Sequence, residues 1–441
     1  MDFERIKAAL CDAAARAGVS EYEIYARIGE SISAETLKDE INAFASGVGG
    51  SVSFRCVVDG KMGYASTEQT GDDAMEELVL SAVSNAKCID SADEAIIFAG
   101  SEHYETVDNG PCELTDAKDV RDHALRLQRA VYAESDKVTD GTQASVFSEN
   151  MQVYLYNSYG LALSNRIGIS GAYANAVVRD GEEAQEHFEL AEGCDYASFA
   201  PLAKKCVTGA IEKLGASIPP SGEYDILFSG KQFRAFLSAF SSAFSAKQAQ
   251  LGLSLLAGRE GERIAAENVT LVDDPMREGS SMKWSFDGEG VATYRKNVVE
   301  NGVLKTLLYN LVTAKKADRA STGNGQRGGG VTPYHFYLAA GKDSFDEMLA
   351  SIENGIYITE CKGFHAGANA VTGDFSIESA GFAVRNGKRC EPIKSFTVAG
   401  NFFDLLKEID RISDTVEWGL PATTTFGSPA VLVRGMKVAG K

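Results

Sequence analysis

The sequence predicts an α+β protein in which a duplicated helix–strands–helix region precedes a strand-rich, antiparallel sheet or barrel-like C-terminal domain. The order helix, strands, helix occurs twice in the first half of the chain, which indicates a repeated unit. The linker-like segment IPPSG, Ile218–Gly222, follows the second unit. Beyond it, short apolar runs alternate with turn sequences, as is typical of antiparallel sheets. The predicted domains are therefore residues 1–110, 111–217 and 218–441.

The first unit begins with an amphipathic helix that ends near Gly18. Strand-like sequence follows, and Asp59-Gly60 is expected to form the turn of a hairpin, because this dipeptide suits the positive φ angles of a type I′ turn. A second helix with one apolar face is predicted from about Asp72.

The second unit repeats this order. Thr115 is the expected N-cap of its first helix. Several strands should follow, and a helix should close the unit. Three dipeptides are expected to be turns between these strands: Glu149-Asn150, Tyr159-Gly160 and Asp180-Gly181.

The C-terminal domain should open with the short buried strand EYDILFSG and continue into a helix over Phe233–Lys247. Apolar residues recur along one side of this helix: Phe233, Phe236, Leu237, Phe240 and Phe244. Its other positions are small and carry no group that binds metal or exchanges a proton at neutral pH. Further along, Asn386-Gly387 predicts another hairpin, and VAGNFFDLLKEIDRI predicts a late helix.

The composition limits the classes of function. The 441 residues carry a net charge of -19 and no run of Lys and Arg, which argues against direct binding of nucleic acid. No apolar run is long enough to span a membrane, and the N-terminus lacks the apolar region of a signal peptide. The eight cysteines form no CxxC pair, which indicates reduced thiols. We expect a cytoplasmic protein with neither a membrane nor a nucleic-acid partner.

The histidines do not encode a local zinc site. None of the five is followed by glutamate, so the HExxH and HExxxH motifs are absent from the sequence. Cys361 and His365 have the spacing C-x3-H and would be two ligands of a metal site. A site needs three or four ligands, however, so chance spacing in a glycine-rich loop is the favoured interpretation.

Two acidic segments have two interpretations each. Asp273-Asp274-Pro275 and Asp287-Gly288-Glu289-Gly290 place four carboxyl groups close together in sequence, where they could exchange protons or bind a hard cation. Asp-Pro and Asp-Gly are also common turn sequences, and this interpretation is favoured.

Two further segments have a functional and a structural interpretation. The glycine-rich segment Ser321–Gly330 could surround an anion with backbone N–H groups, but it lacks the order of a phosphate-binding loop, and a mobile loop near a cleft is favoured. His187 lies among four glutamates and is either part of an acid–base cluster or, as favoured, the charged end of a strand.

An ordered set of motifs resembles the TldE/PmbA proteins. The motifs are GGSVSFRCVVDGKMGYAST, DDP, FDGEGVAT, NGVLKTLLYN, STGNGQR, VTGDFSIESAGFAVRNGK and FTVAGN, and together they span the chain from about residue 21 to 440. No single motif is decisive, but their order is fairly specific to this family, also described as modulators of DNA gyrase.

The resemblance implies a two-chain zinc metalloprotease. In this family TldD carries HExxxH and a later cysteine, which hold zinc, and it cleaves unfolded peptides. TldE has the same fold without that motif. The pair is linked to peptide maturation and antitoxin turnover. The resemblance therefore implies no cofactor in this chain, zinc in a TldD-like partner, and a heterodimer or, without that partner, a homodimer.

Alignment with TldD places the segment SAFSSA at the position of HExxxH. Ser238 replaces the first histidine, Ala239 the glutamate and Ala243 the second histidine. Zinc lowers the pKa of its bound water and the glutamate accepts the proton, and neither serine nor alanine can supply these functions. The segment Gly373-Asp374-Phe375-Ser376 belongs to the shared scaffold, with Phe375 expected in the core and Asp374 in a turn or cap.

Three functions remain open from the sequence. The leading hypothesis is a degenerate, non-catalytic subunit that pairs with a TldD-like chain through its C-terminal domain and helps to enclose an unfolded peptide. The second is an independent metallopeptidase or hydrolase whose site would include Cys361, His365, Asp287 and Glu289. The third is a binding protein that regulates DNA gyrase.

Overall fold

The computed structural model describes residues 2–91, 93–192 and 199–441, and it confirms the α+β class. Within these residues a 3₁₀ helix covers Ser241–Phe244. The α-helices are α1 Phe3–Arg16, α2 Asp72–Cys88, α3 Ala117–Ala133, α4 Ala200–Ile211, α5 Gly230–Phe240, α6 Ala246–Gln250, α7 Leu311–Lys316, α8 Phe345–Ala350, α9 Phe364–Gly367 and α10 Phe402–Lys407.

The strands divide between the two halves of the chain. In the first half they are β1 Tyr22–Leu37, β2 Glu40–Val58, β3 Lys61–Thr67, β4 Gln143–Asn157, β5 Ala162–Asp180 and β6 Glu183–Glu192. In the second half they are β7 Gly222–Phe228, β8 Leu271–Asp273, β9 Lys296–Glu300, β10 Val303–Leu304, β11 His335–Leu338, β12 Asn354–Lys362, β13 Asp374–Arg385, β14 Lys388–Asn401, β15 Ile409–Ile412, β16 Glu417–Trp418, β17 Thr425–Ser428 and β18 Val431–Ala439.

The two N-terminal units contribute to one antiparallel sheet with the order β3-β2-β1-β4-β5-β6. One face carries the helices: α1 and α2 pack on one end and α3 and α4 on the other. The opposite face meets the C-terminal half, where Val153 and Leu155 of the sheet pack with Trp284 and Phe286. The predicted boundary at residue 110 thus lies between strands of a continuous sheet, and the three-domain division stays a prediction.

The C-terminal half is rich in strands, as expected. Strands β14-β13-β12-β7-β18 form a five-stranded barrel, because β14 also pairs with β18, and β15 extends it. A second sheet has the order β10-β9-β8-β11-β17-β16. The largest core of the molecule lies between these sheets and contains the apolar side of α5. Helix α5 is therefore held by packing from two directions.

The predicted hairpins at Asp59-Gly60 and Asn386-Gly387 are confirmed. All four residues have positive φ angles, from 48° to 75°, which is the backbone of a type I′ turn. The turn at Asp180-Gly181 also joins two strands, β5 and β6.

The predicted turn at Glu149-Asn150 is wrong. Strand β4 continues through both residues, which pair with β1 at Ser31 and Glu30 and with β5 on the other side. Hydrogen-bonded partners on both sides outweigh the local preference of asparagine for turns. The N-cap of α3 is also one residue later than predicted, since the carboxylate of Asp116 accepts the N–H of Lys118.

The predicted helix over Phe233–Lys247 is interrupted. Helix α5 ends at Phe240, a 3₁₀ turn follows, and Ser245 is extended. The interruption has a tertiary cause: Leu308 donates its N–H to the carbonyl of Phe244 and accepts the N–H of Ala246, so the chain must be extended between them.

The predicted late helix is also shorter than expected. Helix α10 covers Phe402–Lys407, while the flanking segments lie in β14 and β15. Separately, no helix among the described residues is both long and apolar enough to cross a membrane.

Candidate functional site

A cleft of about 720 Å³ opens beside α5. We call it the α5 cleft. Its walls come from α5, from the end of β12, from β5 and β6 of the N-terminal sheet, and from the chain around β16 and β17. The principal side chains that line it are Glu186, His187, Phe188, Lys213, Lys231, Arg234, Ser238, Ala239, Glu360, Cys361, Lys362, Phe364, Leu420 and Phe426. Both halves of the chain therefore contribute to one concave site.

Local sequence explains how α5 presents one face to the cleft. The hydroxyl of Ser229 caps the helix by accepting the N–H of Gln232 at 3.3 Å. On the core side, Phe236 contacts Phe375 with ring centroids 5.0 Å apart, and Phe240 stacks on Phe402 at 4.5 Å. These contacts leave the opposite, small-residue side of the helix free to form the wall of the cleft.

The three residues of the SAFSSA window do not share one environment. Ser238 is exposed and Ala239 is half-buried, and both line the α5 cleft. Ala243 lies beyond the end of α5, is 1% exposed and belongs to the large core. Its carbonyl accepts the hydroxyl of Ser254 at 2.6 Å. The structure thus brings two of the three positions to the cleft and keeps the third in apolar packing.

Cys361 faces the α5 cleft from β12. Its thiol lies 3.7 Å from the hydroxyl of Ser379, and burial raises the pKa of Cys361 to about 12. His365 lies on the short helix α9 and is exposed. Asp287 lines a different cleft, together with Tyr25 and Arg327, and Glu289 is buried near it. The four residues of the alternative metal site are therefore not assembled.

The residues of the α5 cleft do not fit a zinc ion. Of the window residues and Cys361, only the cysteine carries a group that can bind zinc. Within the described ranges, no group of three or more His, Cys, Asp and Glu side chains is placed to hold a metal. The cleft can bind a ligand by shape and charge but has no zinc-activated water to offer.

Gln232 closes the edge of β12 inside the cleft. Strand β7 ends at Phe228, and β12 has a bulge between Ile358 and Glu360. Beyond that point the side chain of Gln232 donates to the carbonyl of Thr359 at 2.7 Å and accepts the N–H of Cys361 at 3.0 Å. One amide side chain therefore takes the place of a neighbouring strand.

The charges of the cleft are unevenly paired. Glu360 lies 2.7 Å from both Lys213 and Lys362, so these three groups neutralise one another in part. Lys231 donates to the carbonyl of Phe188 at 3.3 Å. Among the described residues, the side chain of Arg234 has neither a hydrogen bond nor an ion pair, and burial lowers its pKa even though Glu417 and Glu189 oppose this effect.

His187 and Glu189 form a hydrogen-bonded pair beside the α5 cleft. The ring Nε2 lies 2.9 Å from the Glu189 carboxylate, and Lys205 lies 3.1 Å from its other oxygen. Burial opposes ionisation, but His187, Lys231 and Lys205 hold the pKa of Glu189 at about 2. This contact supports a structural role for His187, but the expected position at a strand end is wrong, because His187 pairs with Ala176 in the middle of β6.

The acidic motifs form a buried cluster away from the α5 cleft. Asp287 is 1% exposed and accepts the N–H groups of Glu289, Val291 and Gly325. Burial, together with the nearby Glu289, raises the pKa of Asp287 to about 7. Glu289 accepts the N–H of Leu311 at 2.8 Å and lies 4.0 Å from Arg55. These carboxyl groups are positioned as internal hydrogen-bond acceptors.

The glycine-rich segment contributes one backbone N–H to an anion, and this anion is an internal carboxylate. The N–H of Gly325 donates to Asp287 at 2.7 Å, and Gly288 donates to the carbonyl of Gly325 at 2.8 Å. A Cβ on Gly288 would lie 2.9 Å from the backbone nitrogen of Arg327, so a side chain there would separate the two segments. The two motifs therefore act together as a structural unit.

The remaining motif residues are structural. Asp273 accepts from Lys296, Asn324 and the N–H of Tyr334, and it is fully buried. Asp274 accepts the N–H of Met276, a turn contact next to Pro275. Gly373 and Gly290 have positive φ angles of 82° and 85°. Asp374 accepts the amide N–H of Asn401, Phe375 is 4% exposed in the core, and Ser376 is exposed on β13.

Comparison with known proteins assigns the chain to a family. Residues 22–86, 110–214 and 221–440 match the PmbA/TldA metallopeptidase domain 1, central domain and C-terminal domain. A metalloprotease of Methanothermobacter thermautotrophicus is 31% identical over 70% of this chain and 71% of its own length. A PmbA homologue of Haemophilus influenzae, also described as a metalloprotease, is 24% identical over 97% and 94%. The chain therefore belongs to the PmbA/TldD metallopeptidase family.

Solved structures show the same fold. A Thermotoga maritima protein, described as a candidate modulator of a DNA gyrase, superposes with a TM-score of 0.89 at 28% identity, covering 99% of this chain and all of its own. TldE of Thermococcus kodakarensis superposes with a TM-score of 0.87 at 20% identity, with the same coverage.

Sequence reasoning did not identify Gln232, Lys231 or Arg234 as residues of the site. The sequence did offer one signal for the two cations. Lys231 and Arg234 precede Ser238 by seven and four residues, and positions at these spacings share a helix face. Their roles depend on β12 and β16, which are more than a hundred residues away in sequence.

Proposed function

We propose that this chain is a non-catalytic subunit of a two-chain metallopeptidase. It pairs with a TldD-like chain that carries the zinc, and together they enclose unfolded peptides during peptide processing or antitoxin turnover. The observation that carries the proposal is the composition of the α5 cleft. Where catalytic chemistry would need zinc ligands and a proton acceptor, the helix presents Ser238 and Ala239.

Family membership, the thiols of the chain and the name of a structural neighbour support the proposed setting. The seven cysteines that the structure describes are free thiols, as expected in the reducing cytoplasm. The T. kodakarensis structure with the same fold is named TldE, the subunit type to which we assign this chain. In the absence of a TldD-like chain, this chain would pair with a second copy of itself as a homodimer.

The test is metal content and peptidase activity of the purified chain, alone and mixed with a TldD-type chain. We expect no stoichiometric zinc and no cleavage of an unfolded peptide by the lone chain. The mixture should cleave, lose activity with a chelator, and carry its zinc on the partner. Zinc-dependent cleavage by the lone chain would contradict the proposal.

The independent-enzyme hypothesis is less well supported, because its four residues lie in different environments. One variant distinguishes the two hypotheses. His365→Ala should leave the activity of the mixture unchanged, since His365 is exposed and does not line the α5 cleft. Loss of activity and metal in this variant would favour a separate site. For the gyrase hypothesis, the relevant measurement is salt-dependent binding to duplex DNA, which the charge of -19 disfavours.

A further inference from the structure

The α5 cleft is a basic site in an acidic protein. Four cationic side chains line it, namely Lys213, Lys231, Arg234 and Lys362, against the carboxylates of Glu186 and Glu360. The whole chain, by contrast, carries a net charge of -19. A concave surface whose charge is opposite to that of the rest of the molecule concentrates ligands of negative charge.

Two of these cations have no carboxylate to themselves among the described residues. Glu360 is shared by Lys213 and Lys362, as described above, which leaves Arg234 and Lys231. In the described part of the chain Arg234 has no ion-pair partner, and the carboxylate closest to Lys231, that of Glu189, lies 3.9 Å away and already contacts His187 and Lys205. An arginine in a partly buried wall is costly without a partner, because its guanidinium loses water and gains no hydrogen bond.

The two cations lie on the same face of α5 as Ser238, the first residue of the SAFSSA window. Lys231, Arg234 and Ser238 are three and four residues apart and lie on one face of α5. At 1.5 Å per residue, Arg234 lies about 6 Å and Lys231 about 10 Å from Ser238 along the helix axis. The cations therefore begin one turn from the position that a catalytic relative uses for zinc.

The remaining walls indicate what kind of anion fits. Phe188, Phe364, Leu420 and Phe426 give the cleft apolar surface, which a small inorganic anion would leave uncovered. Strand addition along β12 is blocked where Gln232 occupies Thr359 and Cys361. A polypeptide in this cleft must therefore be held by its side chains or its terminus, not by backbone pairing with β12.

We propose that the α5 cleft binds an extended peptide through a carboxylate, which Arg234 contacts directly and Lys231 attracts. The carboxylate comes from an aspartate or glutamate side chain or from the peptide C-terminus, and neighbouring residues of the peptide pack on the apolar walls. The fork of the guanidinium matches a carboxylate with two parallel hydrogen bonds. The inference rests on the proposed function, which supplies the peptide, and adds the class of peptide.

Peptide binding to the intact chain tests this inference directly. The probes are two fluorescent seven-residue peptides of Gly, Ala and Ser with both ends blocked. One has a central Asp, and the matched probe has Asn at the same position. A third peptide has the Asn and a free C-terminus, which separates the two sources of carboxylate. We expect at least one carboxylate peptide to bind about tenfold more tightly than the blocked Asn peptide, as one charge-assisted contact provides.

Arg234→Gln should remove this difference, and Arg179→Gln should preserve it. Arg179 is a suitable control because it is an exposed arginine on β5 outside the lining of the cleft. Arg234→Glu should reverse the preference, so that a peptide with a central Lys binds more tightly than the Asp peptide. If an Arg234 variant fails to fold, Lys231→Gln with Lys437→Gln as its control makes the same comparison, since Lys437 is exposed on β18.

Equal binding of the carboxylate and Asn peptides by the wild-type chain would overturn the inference. A competition experiment could also overturn it. The inference fails if inorganic phosphate or duplex DNA displaces the fluorescent Asp peptide at concentrations where an excess of unlabelled Asp peptide does not. The proposed function is tested separately by zinc content and cleavage. A cleaving mixture in which Arg234→Gln leaves carboxylate preference unchanged contradicts only this inference, whereas a zinc-dependent lone chain contradicts only the proposed function.

Discussion

Single side chains in this protein replace larger structural elements. Gln232 supplies the donor and the acceptor that a strand beside Thr359 and Cys361 would provide, and it is 7% exposed. Asp287 likewise holds three backbone N–H groups from two segments. At the residue scale, therefore, buried polar side chains fix the backbone of both clefts.

Replacing Gln232 with leucine should reduce the free energy of unfolding by about 1–3 kcal/mol. Leucine has a similar size but leaves the carbonyl of Thr359 and the N–H of Cys361 without partners. Urea unfolding of the variant measures the change. The control is Gln69→Leu at an exposed position, where we expect a change of about 0.5 kcal/mol or less. Equal losses in both variants would refute the role of the amide.

Asp287 should make the protein less stable as the pH rises towards 7. Its pKa is about 7 in the folded protein, raised by burial and by Glu289, and near 3.8 when unfolded. The folded state then holds the proton more strongly, so this contribution to stability is complete below pH ~4 and is lost as the pH rises through ~7. The local slope should approach about 1 kcal/mol per pH unit.

The comparison of wild type with Asp287→Asn isolates this effect. His335 acts in the opposite direction, because burial lowers its pKa to about 4 and its contribution to stability increases between pH ~4 and ~6.5. Since His335 is present in both proteins, the difference between their urea-unfolding curves across pH reports Asp287. We expect the difference in stability to shift in favour of the variant with rising pH, and a constant difference would argue against a raised pKa.

At the scale of elements, α5 shows how packing can be retained without the catalytic groups. Its phenylalanines remain in the core between the barrel and the second sheet, while its outer face is reduced to small residues and two cations. The helix stops at Phe240 because Leu308 holds the next residues in an extended pairing. The SAFSSA window therefore crosses an element boundary, with Ser238 inside the helix and Ala243 outside it.

Histidine should be tolerated at one end of this window and not at the other. Ala243→His places a larger polar side chain in a core position that is 1% exposed, and we expect a loss of about 1–3 kcal/mol or more. Ser238→His faces the cleft and should change stability by about 0.5 kcal/mol or less. Thermal and urea unfolding measure both. Similar stabilities for the two variants would mean that Ala243 also has access to the cleft.

At the scale of the whole molecule, buried charges connect the two halves of the chain. Glu23 of β1 is fully buried, lies 2.9 Å from Arg55 of β2, and forms an ion pair with Arg327 of the C-terminal glycine-rich segment. Leu155 and Phe286 belong to an apolar cluster to which both halves contribute. The halves are thus joined by both charge and packing.

Removing Arg327 should weaken the whole molecule. Arg327→Met leaves the buried carboxylate of Glu23 with only Arg55, and loss of one member of a buried ion pair typically costs about 3–5 kcal/mol. Arg179→Met, at an exposed position, is the control. Urea unfolding gives the free energies, and limited proteolysis should release N-terminal fragments faster from Arg327→Met. Unchanged stability and proteolysis would show that packing alone joins the halves.

Much of the local structure was predictable from the sequence. The hairpins at Asp59-Gly60 and Asn386-Gly387 depend on adjacent residues with positive φ, and the buried side of α5 depends on apolar spacing. The turn proposed at Glu149-Asn150 failed because β1 and β5 pair with that segment from both sides. The candidate site was predicted only in part: Ser238 and Ala239 were identified, whereas Gln232 and Arg234 acquire their roles from distant strands.

By itself, the sequence determined that no histidine is followed by glutamate and that the fold is α+β with a strand-rich C-terminal half. It also determined that the chain is acidic and that its cysteines form no CxxC pair. These properties depend on composition and on neighbours in sequence. The tertiary structure alone decided that Ala243 is in the core while Ser238 faces a cleft, that Asp287 is the anion of the glycine-rich segment, and that Arg234 has no partner among the described residues. The physical reason is that burial and charge pairing are set by closure of the barrel against the N-terminal sheet, which brings together residues far apart in the chain.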